Sequence, residues 1–135
     1  MRQFVSYARR DNGTERLVKI KEFLCRRNTG SVYIDDLEIH DPLTGRVASV
    51  VAAIEAANVL IAIPSENYLQ TKWTRWEFET AISRNVPIMA LLPNWDLVLP
   101  NNPGWPWPPR EETRGYIGDV GAPAGKFDGA LPTYP

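Results

Sequence analysis

The sequence predicts an α/β protein: a flavodoxin-like, doubly wound parallel sheet of four to five strands with helices on both faces. Two observations carry that expectation. Up to residue 93 the apolar residues alternate between short strand-sized runs and stretches of helical period, in the order β-α-β-α-β-α-β. One run, residues 58–64 (NVLIAIP), is apolar almost throughout, the pattern of a parallel strand covered on both faces. Right-handed crossovers between parallel strands then place helices on both sides of the sheet, with any ligand beyond the carboxyl ends of the strands.

Each element has its own signal. Residues 3–8 (QFVSYA) form an aromatic and β-branched strand, and 9–13 (RRDNG) read as a turn. From Glu15 to Arg27, Leu17, Ile20, Phe23 and Leu24 recur at helical spacing, and Asn28-Thr29-Gly30 stops that helix. Residues 31–36 (SVYIDD) are a second strand, and 37–45 (LEIHDPLTG) a polar loop. Val47, Val50, Val51, Ile54 and Ala57 stripe a second helix. A third helix is expected from Thr71 to Arg84, and 86–93 (VPIMALLP) is a fourth strand. Phe78, Ala81 and Ile82 supply the core stripe of that third helix. Trp73 and Glu77, at i and i+4, share a face that looks toward the neighbouring loops.

After Pro93 the composition turns to proline and glycine. The expected division is an α/β core over 1–93 and an irregular segment over 94–135, wrapping the core or partly disordered. The segment leaves room for one short strand at most, at 96–99 (DLVL) or 115–118 (GYIG), and for no helix longer than a turn or two, with Trp95, Trp105 and Trp107 expected to fasten part of it to the sheet edge.

With 135 residues, 44% apolar and 23% charged, the chain makes one globular domain. A net charge of −1 gives no electrostatic case for direct nucleic-acid binding. Neither a signal-peptide stretch nor a membrane-length apolar run is present, and Cys25 is the single cysteine, so a cytoplasmic, reducing setting is expected. Cys25, within a helix beside Leu24, reads as a buried structural thiol. His40 stands alone in a loop, so no metal is expected. Residues 118–125 (GDVGAPAG) neither follow a strong strand nor open a helix, which makes a poor phosphate cradle. Asp35-Asp36 close the second strand, where a phospho-acceptor pair would not sit; they read either as the start of a polar loop or as part of a ligand site. Arg9-Arg10 read either as a solvated turn or as part of such a site. Glu77 reads either as a surface partner of Arg75 or Arg84, or as a carboxylate partly desolvated by indole rings.

Four segments taken together resemble the Toll/interleukin-1 receptor (TIR) domain: 4–12 (FVSYARRDN), 32–36 (VYIDD), 58–82 (NVLIAIPSENYLQTKWTRWEFETAI) and 86–92 (VPIMALL). Residues 73–77 (WTRWE) match the Trp-x-x-x-Glu pattern of the NAD-cleaving branch. The resemblance implies that Glu77 is the catalytic residue and Trp73 its structural and substrate-side partner, with Tyr7, Arg9 and Asp35 near the nucleotide. It implies NAD+ as substrate, no cofactor, and products of nicotinamide plus ADP-ribose or a cyclic isomer. It further implies a signalling or defence effector that self-associates through the loop at 37–45 or binds other TIR domains. Two alternatives stay open: a non-enzymatic TIR adaptor, and a nucleoside deoxyribosyltransferase-like enzyme with a glutamate nucleophile. The sequence departs from the family pattern after the fourth strand, where no final helix is recognisable.

Overall fold

The computed structural model describes residues 1–107. Its strands are β1 (Arg2–Ser6), β2 (Ser31–Tyr33), β3 (Val59–Ala62), β4 (Ile88–Leu91) and β5 (Leu97–Val98). Its helices are α1 (Thr14–Arg27), α2 (Gly45–Ala56) and α3 (Lys72–Ser83). The strands lie in the order β2-β1-β3-β4-β5; the first four are parallel and β5 returns antiparallel to β4. The mixed α/β architecture with a mostly parallel five-stranded sheet is the one the alternating pattern predicts.

Alternation along the central strands divides the core into two faces. Phe4, Leu60, Ala62, Ile88 and Ala90 point to the side covered by α2 and α3, and pack with Val50, Ile54, Trp73, Trp76, Phe78 and Ala81. Val5, Val59, Ile61 and Leu91 point to the other side, where Leu17, Ile20 and Leu24 of α1 meet them. The apolar run at 58–64 thus feeds both faces from one strand, each fully buried branched side chain contributing about 1.5–3 kcal/mol of transfer free energy. Cys25 follows the buried Leu24 by one residue, about 100° around α1, and is exposed instead of buried as expected.

Two features differ from the expected helix faces and tail. Trp73, expected on a face toward the neighbouring loops, is buried in the core cluster with Trp76 and Phe78 while one side of it borders those loops; Trp73 and Trp76 meet edge to face, 5.5 Å between ring centroids. The reason is that α3 is covered on more than one side, by α2, by the sheet and by Trp107. Trp107 is 9% exposed and packs on Tyr68 and Phe78, so the core runs on past Pro93. Of the two stretches that could hold a short strand, 96–99 contributes β5, two residues long, and Trp95 reaches across to Phe23 of α1. Trp95 and Trp107 therefore fasten this segment to opposite faces of the sheet. The alternative strand at 115–118 and the glycine cluster at 118–125 lie outside the described residues.

Because the chain runs from β1 outward to β2 and then back across to β3, the order reverses between β1 and β3. A crevice opens at such a reversal, beyond the carboxyl ends of the strands. That is where the candidate site lies.

Candidate active site

A cleft of about 280 Å³ is lined by Val5, Tyr7, Ala8, Arg9, Arg10, Asp35, Thr71, Trp73, Thr74 and Glu77. Three elements supply it: the end of β1 with the turn after it, the residue two past β2, and the first turns of α3. The start of α3 is fixed locally. Thr71 adopts an extended backbone and its hydroxyl accepts from the Thr74 amide at 3.2 Å, an N-cap typically worth about 1 kcal/mol. Thr74 Oγ1 in turn accepts from the Leu69 amide at 3.0 Å, which holds Leu69 at φ +67° just ahead of the helix. One turn of helix then places Glu77 below Trp73 on the cleft side.

Glu77 does not pair with an arginine of α3: Arg84 goes to Glu55 at 2.7 Å, and Glu77 Oε1 accepts a 2.7 Å hydrogen bond from the Ser6 hydroxyl at the end of β1. Ser6 Oγ accepts from Tyr68 Oη at 2.9 Å. Protein surrounds the carboxyl nearly completely, and what accessibility it keeps is through the cleft. Burial pushes its pKa up to about 8; the Ser6 hydrogen bond works against that, and the negative charge of Asp35 adds to it.

The rim is a network of acids and bases. Asp36 accepts from Tyr7 Oη at 2.7 Å and returns its own amide to the same oxygen at 2.9 Å. Both Asp36 oxygens also meet the Arg9 guanidinium at 3.1 Å, and Arg46 Nη2 lies 2.9 Å from Oδ1. Asp35, 7% exposed, is approached by Tyr33 Oη at 3.1 Å, His40 Nε2 at 3.2 Å and Arg46 Nε at 3.2 Å. The Arg46 Nε contact is an ion pair out of hydrogen-bond alignment. Tyr7 is buried and bonded to a carboxylate, both of which raise its pKa and keep the phenol neutral. The structure thus brings Tyr7, Arg9, Asp35, Trp73 and Glu77 to one cleft, although they come from three separate stretches of the chain.

A family model described as TIR domain matches residues 4–112. The chain belongs to the TIR domain family. Comparison with curated proteins found no match. Domains of this family act in signalling and adaptor assemblies, commonly by self-association or by binding other TIR domains, and they include NAD-cleaving enzymes.

In this TIR domain the loop at 37–45 is tied back to the end of the second strand at His40 and again just past its end at Arg46. His40 Nε2 sits 3.0 Å from the Asp35 carbonyl, and Arg46, just past the loop, bridges back to Asp35 and Asp36. Ile39 and Leu43, on either side of His40, are fully exposed. Among the described residues no cluster of three or more His, Cys, Asp or Glu is arranged for a metal ion, and no helix is long and apolar enough to cross a membrane.

Several members of the site carried no signal in the sequence. Ser6 is one polar residue in an apolar strand, and Tyr68 lies in a loop without a motif. Arg46 follows a loop whose closure could not be read from composition. Arg10, which lines the cleft beside Arg9, was legible only as half of a basic pair.

Proposed function

We propose that this TIR domain cleaves NAD+ at the bond between nicotinamide and ribose, releasing nicotinamide and ADP-ribose or a cyclised ADP-ribose. One observation carries the reading: Glu77 presents a desolvated carboxyl to the cleft beside the wall formed by Trp73, with Oε1 already held by Ser6. Nicotinamide leaves as a neutral pyridine, so the reaction needs no strong acid. What needs stabilising is the positive charge that develops on the ribose as the bond breaks, as in glycoside hydrolysis. A carboxylate fixed in a low-dielectric cleft does this with little reorganisation.

The raised pKa fits that role. Burial lets the Glu77 carboxyl hold its proton to a higher pH than an ordinary carboxylate does. A bound pyridinium within a few ångströms favours the carboxylate, because an opposite charge lowers the pKa of an acid. Substrate binding then brings the ionised form into being where it is used, and the displaced proton leaves to solvent. The electrons of the broken C–N bond go to nicotinamide. Water or a nitrogen of the same substrate supplies the new bond to the ribose carbon, with one proton released on hydrolysis.

At about 280 Å³ the cleft is at the small end for a ligand site, with room for the nicotinamide riboside end of the substrate. The diphosphate would lie across the rim at Arg9 and Arg10, with Tyr7 and Asp35 bordering the same end. A neighbouring copy meeting the loop at 37–45 would cover the rest. No cofactor takes part, NAD+ being the substrate.

The test is incubation of concentrated protein with NAD+ and detection of nicotinamide. Glu77→Gln keeps the size and the Ser6 contact but removes the charge, and is expected to lower turnover by about 10²–10³. Near-normal turnover in folded Glu77→Gln protein would overturn the assignment. The exposed Ile39 and Leu43 favour a second reading, an adaptor that acts through this loop alone. Retained partner binding by Glu77→Gln, with no nicotinamide released by the wild-type protein at any concentration, would establish it.

A further inference from the structure

We propose that Ser6 and Tyr68 are positioning residues for Glu77: a buried chain from Tyr68 Oη to Ser6 Oγ to Glu77 Oε1 pins one carboxylate oxygen and leaves the other for the cleft. The role in turnover rests on the reading of Glu77 given above; the role in holding the carboxyl does not.

The direction of the chain follows from the donors it contains. A serine hydroxyl has one hydrogen and two acceptor lone pairs, and a tyrosine hydroxyl has one hydrogen. Tyr68 gives its hydrogen to Ser6, so the single Ser6 hydrogen goes to Glu77. Both hydroxyl residues are sealed from solvent, Ser6 at 0% and Tyr68 at 2% exposure, so water does not compete for either bond. A carboxylate accepts without conflict from a chain polarised in this way, and successive bonds strengthen one another in a low dielectric.

The chain is also held from outside the cleft. Ser6 ends β1 on the face shared with Phe4, and so faces α3. The Tyr68 ring is packed by Phe78 at 6.4 Å and by Trp107 at 5.4 Å between centroids. None of these three aromatic residues lines the cleft. A hydroxyl pair that served packing alone would be replaceable by apolar groups of similar shape at little cost. Here the pair ends on a carboxyl that lines the cleft.

The experiment is an NMR titration of the full chain labelled with ¹³C at glutamate carboxyl carbons, with Glu77 assigned by its absence in Glu77→Gln. Ser6→Ala is expected to raise the Glu77 midpoint by about one pH unit, the size expected for one lost charge-assisted hydrogen bond. Tyr68→Phe should move it in the same direction by less, and Ser6→Thr should restore it. In NAD+ turnover the acid limb of kcat/KM should move with the midpoint, with kcat reduced and KM little changed. An unmoved midpoint in folded Ser6→Ala overturns the proposal. If Ser6→Ala fails to fold, Tyr68→Phe, which removes one oxygen, decides by the same criterion. Shifted midpoints in a protein that releases no nicotinamide uphold the positioning role and overturn the NAD+ reading.

Discussion

Glu77 is costly to the fold. Its pKa of about 8 lies above its ordinary 4.5, so the native state holds the proton more tightly than the unfolded chain does. The stability this provides is fully present below about 4.5 and is lost as pH climbs toward 8, at no more than about 1.4 kcal/mol per pH unit. Glu77→Gln keeps an acceptor for Ser6 and has nothing to ionise. We expect the variant to melt with wild-type protein at pH 5 and several degrees above it at pH 8, as scanning calorimetry would show. A variant that melts lower at pH 8 would mean that the ionised carboxylate is fully compensated in the native state. Stability surrendered at one residue for the sake of a site is a common trade.

Helix α3 carries both the wall and the carboxyl of the cleft, so its packing and the chemistry are difficult to alter separately. Trp73 is 5% exposed, and Trp73→Ala is expected to cost about 3–5 kcal/mol and to give poorly soluble protein. Trp73→Phe should fold, since it keeps most of the contact with Trp76, and should turn over more slowly because the wall beside Glu77 is narrower. Thermal melts combined with nicotinamide release check both, and fully active, stable Trp73→Ala would remove the tryptophan from the site. The alternating elements were legible in the sequence because period and length speak directly to backbone geometry. The burial of Trp73 was not legible: a helical stripe reports one covered face, and Trp73 joins the core cluster from outside the Phe78-Ala81-Ile82 stripe, edge to face with Trp76. Glu77 stood out through its spacing from Trp73. Ser6 and Tyr68 did not, because a hydrogen bond between residues 71 apart, or 62 apart, leaves no local pattern.

At the scale of the molecule, the tethered loop at 37–45 leaves the side chains of Ile39 and Leu43 uncovered by the described residues. Ile39→Glu or Leu43→Glu should therefore leave the melting temperature unchanged while weakening self-association and NAD+ turnover together. Sedimentation and activity measured across a protein dilution series would check this, and activity strictly proportional to concentration would mark a self-sufficient monomer. The cleft itself is tied across most of the domain. Ser6 reaches Glu77 over 71 residues, and Asp11 reaches Ser65 and Asn67 over 54 and 56. Contacts of such separation form late, since the entropy of closing a long loop is spent before they return anything. The cleft therefore exists only once the end of β1 and the start of α3, the two ends of the contact between Ser6 and Glu77, have been brought together. A domain that consumed NAD+ would in this way be harmless to its cell until those two segments had met.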